Sequence, residues 1–245
     1  MSKFIAKAYT MAFVATVSMT AIAADAPGAF TPNEFAAIMA KMPTPTELGG
    51  VQVHAKQFCG SCHGSHGVAQ TANWPHVAGQ PRDVTIKALL DYREGRRNEG
   101  AAAAMMAAVA KRLSDQEIVD VALLYEKIDG PDGTKLKVGK PEKTTGLDPD
   151  VKRLLTRGDP ARAITPCAAC HGTTGNGNLN GQVPVLHGQN PTYLATALKE
   201  YRSGARTSDI LKEMRFFASQ LNDREIEQLS AYYGDLKGWK AKSSE

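Results

Sequence analysis

Apolar residues along this chain recur three and four positions apart, and long alternating apolar–polar runs are missing. That spacing belongs to helices that bury one face, so it predicts an all-α fold. Ile86, Leu89 and Leu90 form one stripe after Pro81, and Gly95 ends it. Ile118, Val121, Ala122 and Tyr125 form a second, started by a Ser114/Glu117 capping box. Tyr193, Ala197 and Tyr201 line a third, closed by Gly204, and Ile226, Leu229 and Tyr233 a fourth, opened by Asn222 with Glu225 three residues on. Thr31-Pro32-Asn33-Glu34 is a further start, predicting a short docking helix over "NEFAAIMAKM" that shields a site or meets a partner. Residues 8–22 differ, being mostly apolar. With Lys3 and Lys7 ahead and Ala21-Ile22-Ala23 behind, they read as a cleavable signal peptide over 1–24. The run is shorter than the roughly 20 residues of a membrane span. The mature chain is therefore expected in the periplasm without a transmembrane span.

The pattern then repeats. "CGSCHG" at 59–64 returns as "CAACHG" at 167–172, and "MAAVAKRLSDQEIVDVALLY" at 106–125 as "MRFFASQLNDREIEQLSAYY" at 214–233, both shifted by 108. "WPHVAGQ" at 74–80 matches "VPVLHGQ" at 183–189, and "DYREGRR" at 91–97 matches "EYRSGAR" at 200–206, both shifted by 109. Such a period is too long for a solenoid and about the size of a small domain. The expected organisation is an N-terminal extension over 25–49, a first domain over 50–130, a linker over 131–149 and a second domain over 150–240. The linker region is rich in Gly, Pro, Lys and Asp, as a surface crossing should be. A helix is expected to begin just before each Cys motif.

Charge narrows the function. The formal net charge of +4 falls to +2 once Lys3 and Lys7 leave with the signal, which is no footprint of a nucleic-acid binder. Residues 25–130 carry net −2 and residues 151–245 net +4, a dipole that can orient a partner during encounter.

All four cysteines lie in the two CxxCH motifs. A disulfide would not explain the histidine that follows each pair. A thioredoxin-like dithiol needs a βαβ setting that this chain lacks. Zinc needs a further ligand; His66 could serve the first copy, but Thr174 stands at that place in the second. Covalent haem uses every residue. Cys59 and Cys62, like Cys167 and Cys170, share one side of a helical turn and form thioethers, which holds His63 or His171 under the iron. Met214 is the single methionine of the second copy, 47 residues after Cys167; the same count from Cys59 reaches Met106. A thioether there would fill the sixth position and raise the potential. Met105 competes with Met106, and the repeat register favours Met106. His54, His66, His76 and His187 read as exposed loop or helix residues. Arg97 and Arg206 read equally well as partners of haem propionates or as solvated cations.

With these residues the chain resembles the dihaem cytochrome c4 family, tandem class I cytochrome c domains. The resemblance rests on both CxxCH-Gly motifs, "WPHVAGQ" and "VPVLHGQ", the pairs Gly95/Arg97 and Gly204/Arg206, and Met followed by "RLSDQEI" or "QLNDREI". It covers about 50–130 and 150–236. It implies that Pro75 and Pro184 offer their carbonyls to His63 and His171. It implies a periplasmic carrier of single electrons with two covalently bound haems c. Its partners would be redox proteins, an electron donor complex and a terminal oxidase or dehydrogenase, with peripheral association at the membrane compatible with that role. The alternative is the electron-accepting cytochrome subunit of an enzyme complex, such as a sulfur-compound dehydrogenase. Catalysis at an open haem is disfavoured, because no spare Cys exists and both Met positions are filled.

Overall fold

A computed structural model describes residues 27–128, 147–177 and 181–236. The expected signal peptide and residues 131–146 of the expected linker lie outside them. Among the described residues the structure is helical and forms no strand; a lone antiparallel bridge joins Asp159 and Ile164.

The first half holds α1 (Pro32–Met39), α2 (Glu47–Lys56), α3 (Gly60–His63), α4 (Arg82–Arg93), α5 (Ala101–Ala110) and α6 (Asp115–Lys127). The second holds α7 (Pro149–Thr156), α8 (Cys167–His171), α9 (Pro191–Ser203), α10 (Glu213–Ser219) and α11 (Asp223–Asp235). Each half has its own apolar core. Ile86, Leu90, Ile118 and Ala122 are fully buried in the first, and Leu154, Val151 and Ile226 in the second. The capping boxes at Thr31, Ser114 and Asn222 all form, each pairing with the Glu three residues on. The CxxCH helices are a single turn each and begin at Gly60 and Cys167, within the motif rather than ahead of it.

The duplication holds at the level of single hydrogen bonds. The Gly67 carbonyl accepts from the Val77 and Ala78 amides, and the Gly175 carbonyl from those of Leu186 and His187. Gly79 N–H donates to the Tyr125 carbonyl and Gly188 N–H to that of Tyr233, both at 2.7 Å. These bonds fix the loop after each CxxCH against the last helix of its copy.

Two departures from symmetry matter. In the first copy α2 lies very close to α6. A Cβ on Gly50 would sit 2.4 Å from the Asp120 carbonyl oxygen and 2.6 Å from Leu124 Cβ. Asp120 also ties down the start of α2, accepting from Thr46 N–H at 2.5 Å and from Gln116 Nε2 at 2.9 Å. Gly50→Ala would add about 1 kcal/mol of helix propensity. The new methyl meets backbone, which cannot swing away, and overpacking of this kind costs about 1–3 kcal/mol. A lower unfolding midpoint is therefore expected in denaturant titration of the holoprotein, and an unchanged or higher one would contradict the close crossing.

The second departure is the extension. Its described part packs on the first domain. Phe30 is 1% exposed, and Phe35, Ile38, Met39 and Met42 lie against the first core. The Arg96 guanidinium stacks 3.8 Å from the Phe30 ring centroid and donates to the Gly28 carbonyl at 2.5 Å. Burial of one such phenylalanine contributes about 1.5–3 kcal/mol, so α1 is docked on its own chain.

The halves meet through a reciprocal pair of amide clamps. Gln189 accepts from His76 N–H and donates to the His76 carbonyl, both at 2.8 Å. Gln80, its repeat equivalent, accepts from Val185 N–H at 3.0 Å and donates to the Val185 carbonyl at 2.9 Å. His76 and Val185 are themselves equivalent, so a pseudo-two-fold relates the two clamps. Asn190 adds bonds to the Thr71 and Trp74 carbonyls, and Lys87 reaches the Ser208 carbonyl at 2.7 Å.

Candidate haem sites

Each CxxCH turn starts from a different approach. Phe58 enters the first with a left-handed backbone, φ 54°, while Pro166 leads into the second. None of the four cysteines is paired in a disulfide. Burial pushes the Cys59 thiol up and that of Cys167 to about 11. Redox-active dithiols need a depressed thiol pKa, so this chemistry is the wrong way round for an exchange enzyme.

The histidines are placed as metal ligands should be. His63 and His171 are each 8% exposed. His63 Nδ1 donates to the Pro75 carbonyl at 2.9 Å, and His171 Nδ1 to the Pro184 carbonyl at 3.2 Å. A carbonyl only accepts, so the proton sits on Nδ1 and the Nε2 lone pair is left for a metal. Burial lowers both imidazole pKa values, and the proline carbonyls offset this only in part. Both rings are therefore neutral near pH 7, as coordination requires.

Met106 lies on α5, half-buried against the first core, whereas its neighbour Met105 is 50% exposed. Met214, half-buried, is the second residue of α10. Both methionines thus ride on equivalent helices, α5 and α10. The sequence pattern did not mark either helix.

Between the copies lies a buried charge cluster. Arg97 pairs with Glu99 at 2.5 Å, and Arg206 approaches the same carboxylate at 3.9 Å. Each guanidinium stacks on a tyrosine of its own copy, Arg97 on Tyr92 at 4.2 Å and Arg206 on Tyr201 at 4.5 Å. The expectation of plain solvated cations fails, since the Arg97 side chain is 6% exposed and that of Arg206 14%. Arg206 Nε has no acceptor and Glu99 Oε2 no donor. Burial alone would raise the Tyr193 phenol pKa, but Arg206 and Arg97 together outweigh it and hold the phenol below its ordinary value. Lys87, Asp91 and Glu200 also act on these arginines, so the charges nearly balance, but the orphaned Arg206 Nε is costly unless an anion reaches it. Haem brings carboxylates of that kind in its propionates. With neutral His Nε2, paired thiols on one turn and a methionine on an equivalent helix of each copy, the residues present fit haem c. The iron of such a group supplies the chemistry, holding or releasing one electron.

Of the remaining histidines His66 is exposed as expected, whereas His54, His76 and His187 are not. His187 is buried, its Nδ1 donating to the Thr174 carbonyl at 2.9 Å. His76 is half-buried and accepts from Ala69 N–H at 3.0 Å; burial drops its pKa to about 4. His54 Nδ1 lies 2.9 Å from the Tyr125 hydroxyl. Its counterpart Arg162 instead forms a two-pronged pair with Glu225, 2.8 and 3.0 Å. Sequence reasoning missed Gln80, Gln189 and Glu99. The glutamines stood inside the repeated motif, but their partners are more than a hundred residues away.

The cytochrome c family model matches residues 49–123 and 161–237. A cytochrome c4 of Thiocapsa roseopersicina is 30% identical over 76% of this chain and 90% of its own. A thiosulfate dehydrogenase electron acceptor of Stutzerimonas stutzeri is 32% identical over 74% of this chain and 80% of its own. The crystal structure of reduced recombinant cytochrome c4 from Pseudomonas stutzeri superposes with TM-score 0.63 at 28% identity, covering 79% of this chain and all of that one. Matched by these relatives in both of its halves, the chain belongs to the dihaem cytochrome c4 family, electron-transfer cytochromes with two covalent haems c.

Proposed function

We propose that the protein is an exported electron shuttle with two six-coordinate haems. Cys59 and Cys62 hold one through thioethers, with His63 and Met106 as axial ligands; Cys167, Cys170, His171 and Met214 do the same for the other. The observation that carries this reading is the pair of buried, neutral histidines with Nδ1 committed to proline carbonyls. That bond keeps each ring in one orientation and makes it a stronger donor to iron. Met106 is favoured over Met105 by its half-buried place against the core.

The domains are assigned from the repeat: 25–49 as an extension, 50–130 and 150–240 as the two haem domains, 131–149 as the linker. Residues 1–24 direct export to the periplasm and are removed. Among the described residues no helix is long and apolar enough to cross a membrane. The partners are redox proteins. The name of the Stutzerimonas stutzeri relative favours a second reading, in which the electrons come from a sulfur-compound dehydrogenase that this chain serves.

A shuttle exchanges electrons and does not turn over small molecules. Mixed with sulfide, thiosulfate or hydrogen peroxide, the purified holoprotein is expected to change redox state at most once per haem. Sustained multiple turnover by the isolated chain would overturn the proposal in favour of catalysis at an open haem.

A further inference from the structure

The two amide clamps do more than join the copies. Pro75 C=O and His76 N–H belong to one peptide group. Its oxygen accepts from His63 Nδ1 at 2.9 Å, and its N–H donates to Gln189 of the other copy at 2.8 Å. The Pro184–Val185 peptide is arranged alike. Its oxygen accepts from His171 Nδ1 at 3.2 Å, and its N–H donates to Gln80 at 3.0 Å. Both glutamines are buried, and each also donates back to the carbonyl of the residue it grips, so neither side chain is free to turn.

A peptide group is resonance-coupled, so drawing on its N–H places more negative charge on its oxygen. The oxygen then holds the imidazole proton more strongly, and the ring becomes a more electron-rich ligand. An electron-rich imidazole favours Fe(III) over Fe(II) and lowers the potential. We infer that Gln80 and Gln189 are positioning residues, each tuning the reduction potential of the haem in the opposite copy through one shared peptide group. The inference rests on the assignment of His63 and His171 as axial ligands. It makes the domain junction part of each redox centre.

The test uses holoprotein variants Gln189→Leu and Gln80→Leu, with Asn190→Ala as a control. The control removes junction hydrogen bonds to Thr71 and Trp74 but leaves both side-chain clamps in place. Potentials of both haems are measured by spectroelectrochemistry. The Nδ1–H resonances of His63 and His171 are followed by NMR in the diamagnetic reduced state. Gln189→Leu is expected to raise the potential of the first-copy haem and move the His63 Nδ1–H signal upfield, with the second haem much less affected. The expected change in the Fe(III)/Fe(II) equilibrium is two- to tenfold, the upper bound being about 59 mV for a one-electron couple. Gln80→Leu is expected to do the reverse, and either variant alone decides the question. Equal shifts at both haems, or the same shifts with Asn190→Ala, would mean general loosening and overturn the inference. Ligation itself is read from the wild type, where axial imidazole signals carry the haem ring-current shift. Their absence would sink the ligand assignment; their presence with unmoved potentials would sink only the cross-tuning.

Discussion

Cys59→Ala combined with Cys62→Ala leaves one covalent haem per chain in place of two. The thioethers are the only covalent tie to the haem, and no cysteine lies outside the two motifs to replace them. Without the tie the haem is held only by noncovalent contacts and is lost on denaturation. Intact-mass measurement and haem staining after denaturing electrophoresis read the change directly. The second copy has its own core and its own histidine–proline pair, so its haem stays attached. Cys167→Ala with Cys170→Ala gives the mirror result. Two haems surviving denaturation in either double variant would contradict the assignment.

The second large effect is expected at Met106. Replacing it by Ala removes a soft, neutral ligand that favours Fe(II), so the potential of that haem falls. Axial-ligand identity moves haem potentials across about 0.8 V, so the drop should exceed the ~59 mV of a tenfold change in the one-electron equilibrium. Half of the near-infrared charge-transfer absorption from Met to Fe(III) should vanish with it. Met105→Ala should change neither, because that side chain is half in solvent on the same helix. The reverse pattern, with Met105 controlling the band, would shift the ligand by one residue. Peroxide reactivity is expected to appear at the first haem of Met106→Ala, where the sixth position has lost its side chain.

These expectations come from a molecule whose plan was largely legible. Helix starts that carry their own chemistry were readable: Ser114 with Glu117, Asn222 with Glu225 and Thr31 with Glu34 satisfy orphan amides locally, and each forms as read. Stops at Gly95 and Gly204 were readable for the same reason, since both take positive φ. The methionine helices were not. The α5 segment, "AAAAMMAAVA", has no polar face to set a stripe, and no side chain caps it. The seven-residue α10 starts from Lys212 in a left-handed conformation, which no start rule anticipates. The Gly49-Gly50 pair within α2, which no sequence signal singled out, lets α2 lie against the α6 backbone.

The site was legible as far as it repeats. The cysteines, histidines and prolines stand in register, and the structure brings each histidine onto its proline carbonyl. What sequence could not give is contact between the copies. Gln80 and Gln189 meet backbone far along the chain, and Arg97, Arg206 and Glu99 converge only once the halves are packed. Their burial is a property of the junction, not of any local pattern.

The central claim is that both copies hold a haem between a histidine and a methionine. The most direct test is a redox titration of the purified holoprotein, with the near-infrared Met-to-Fe(III) band quantified per haem. Two haems at positive potential, each with a full Met band, are the expected result. A single band for two haems, or one haem at a much lower potential, would contradict the claim and reopen catalysis at that centre.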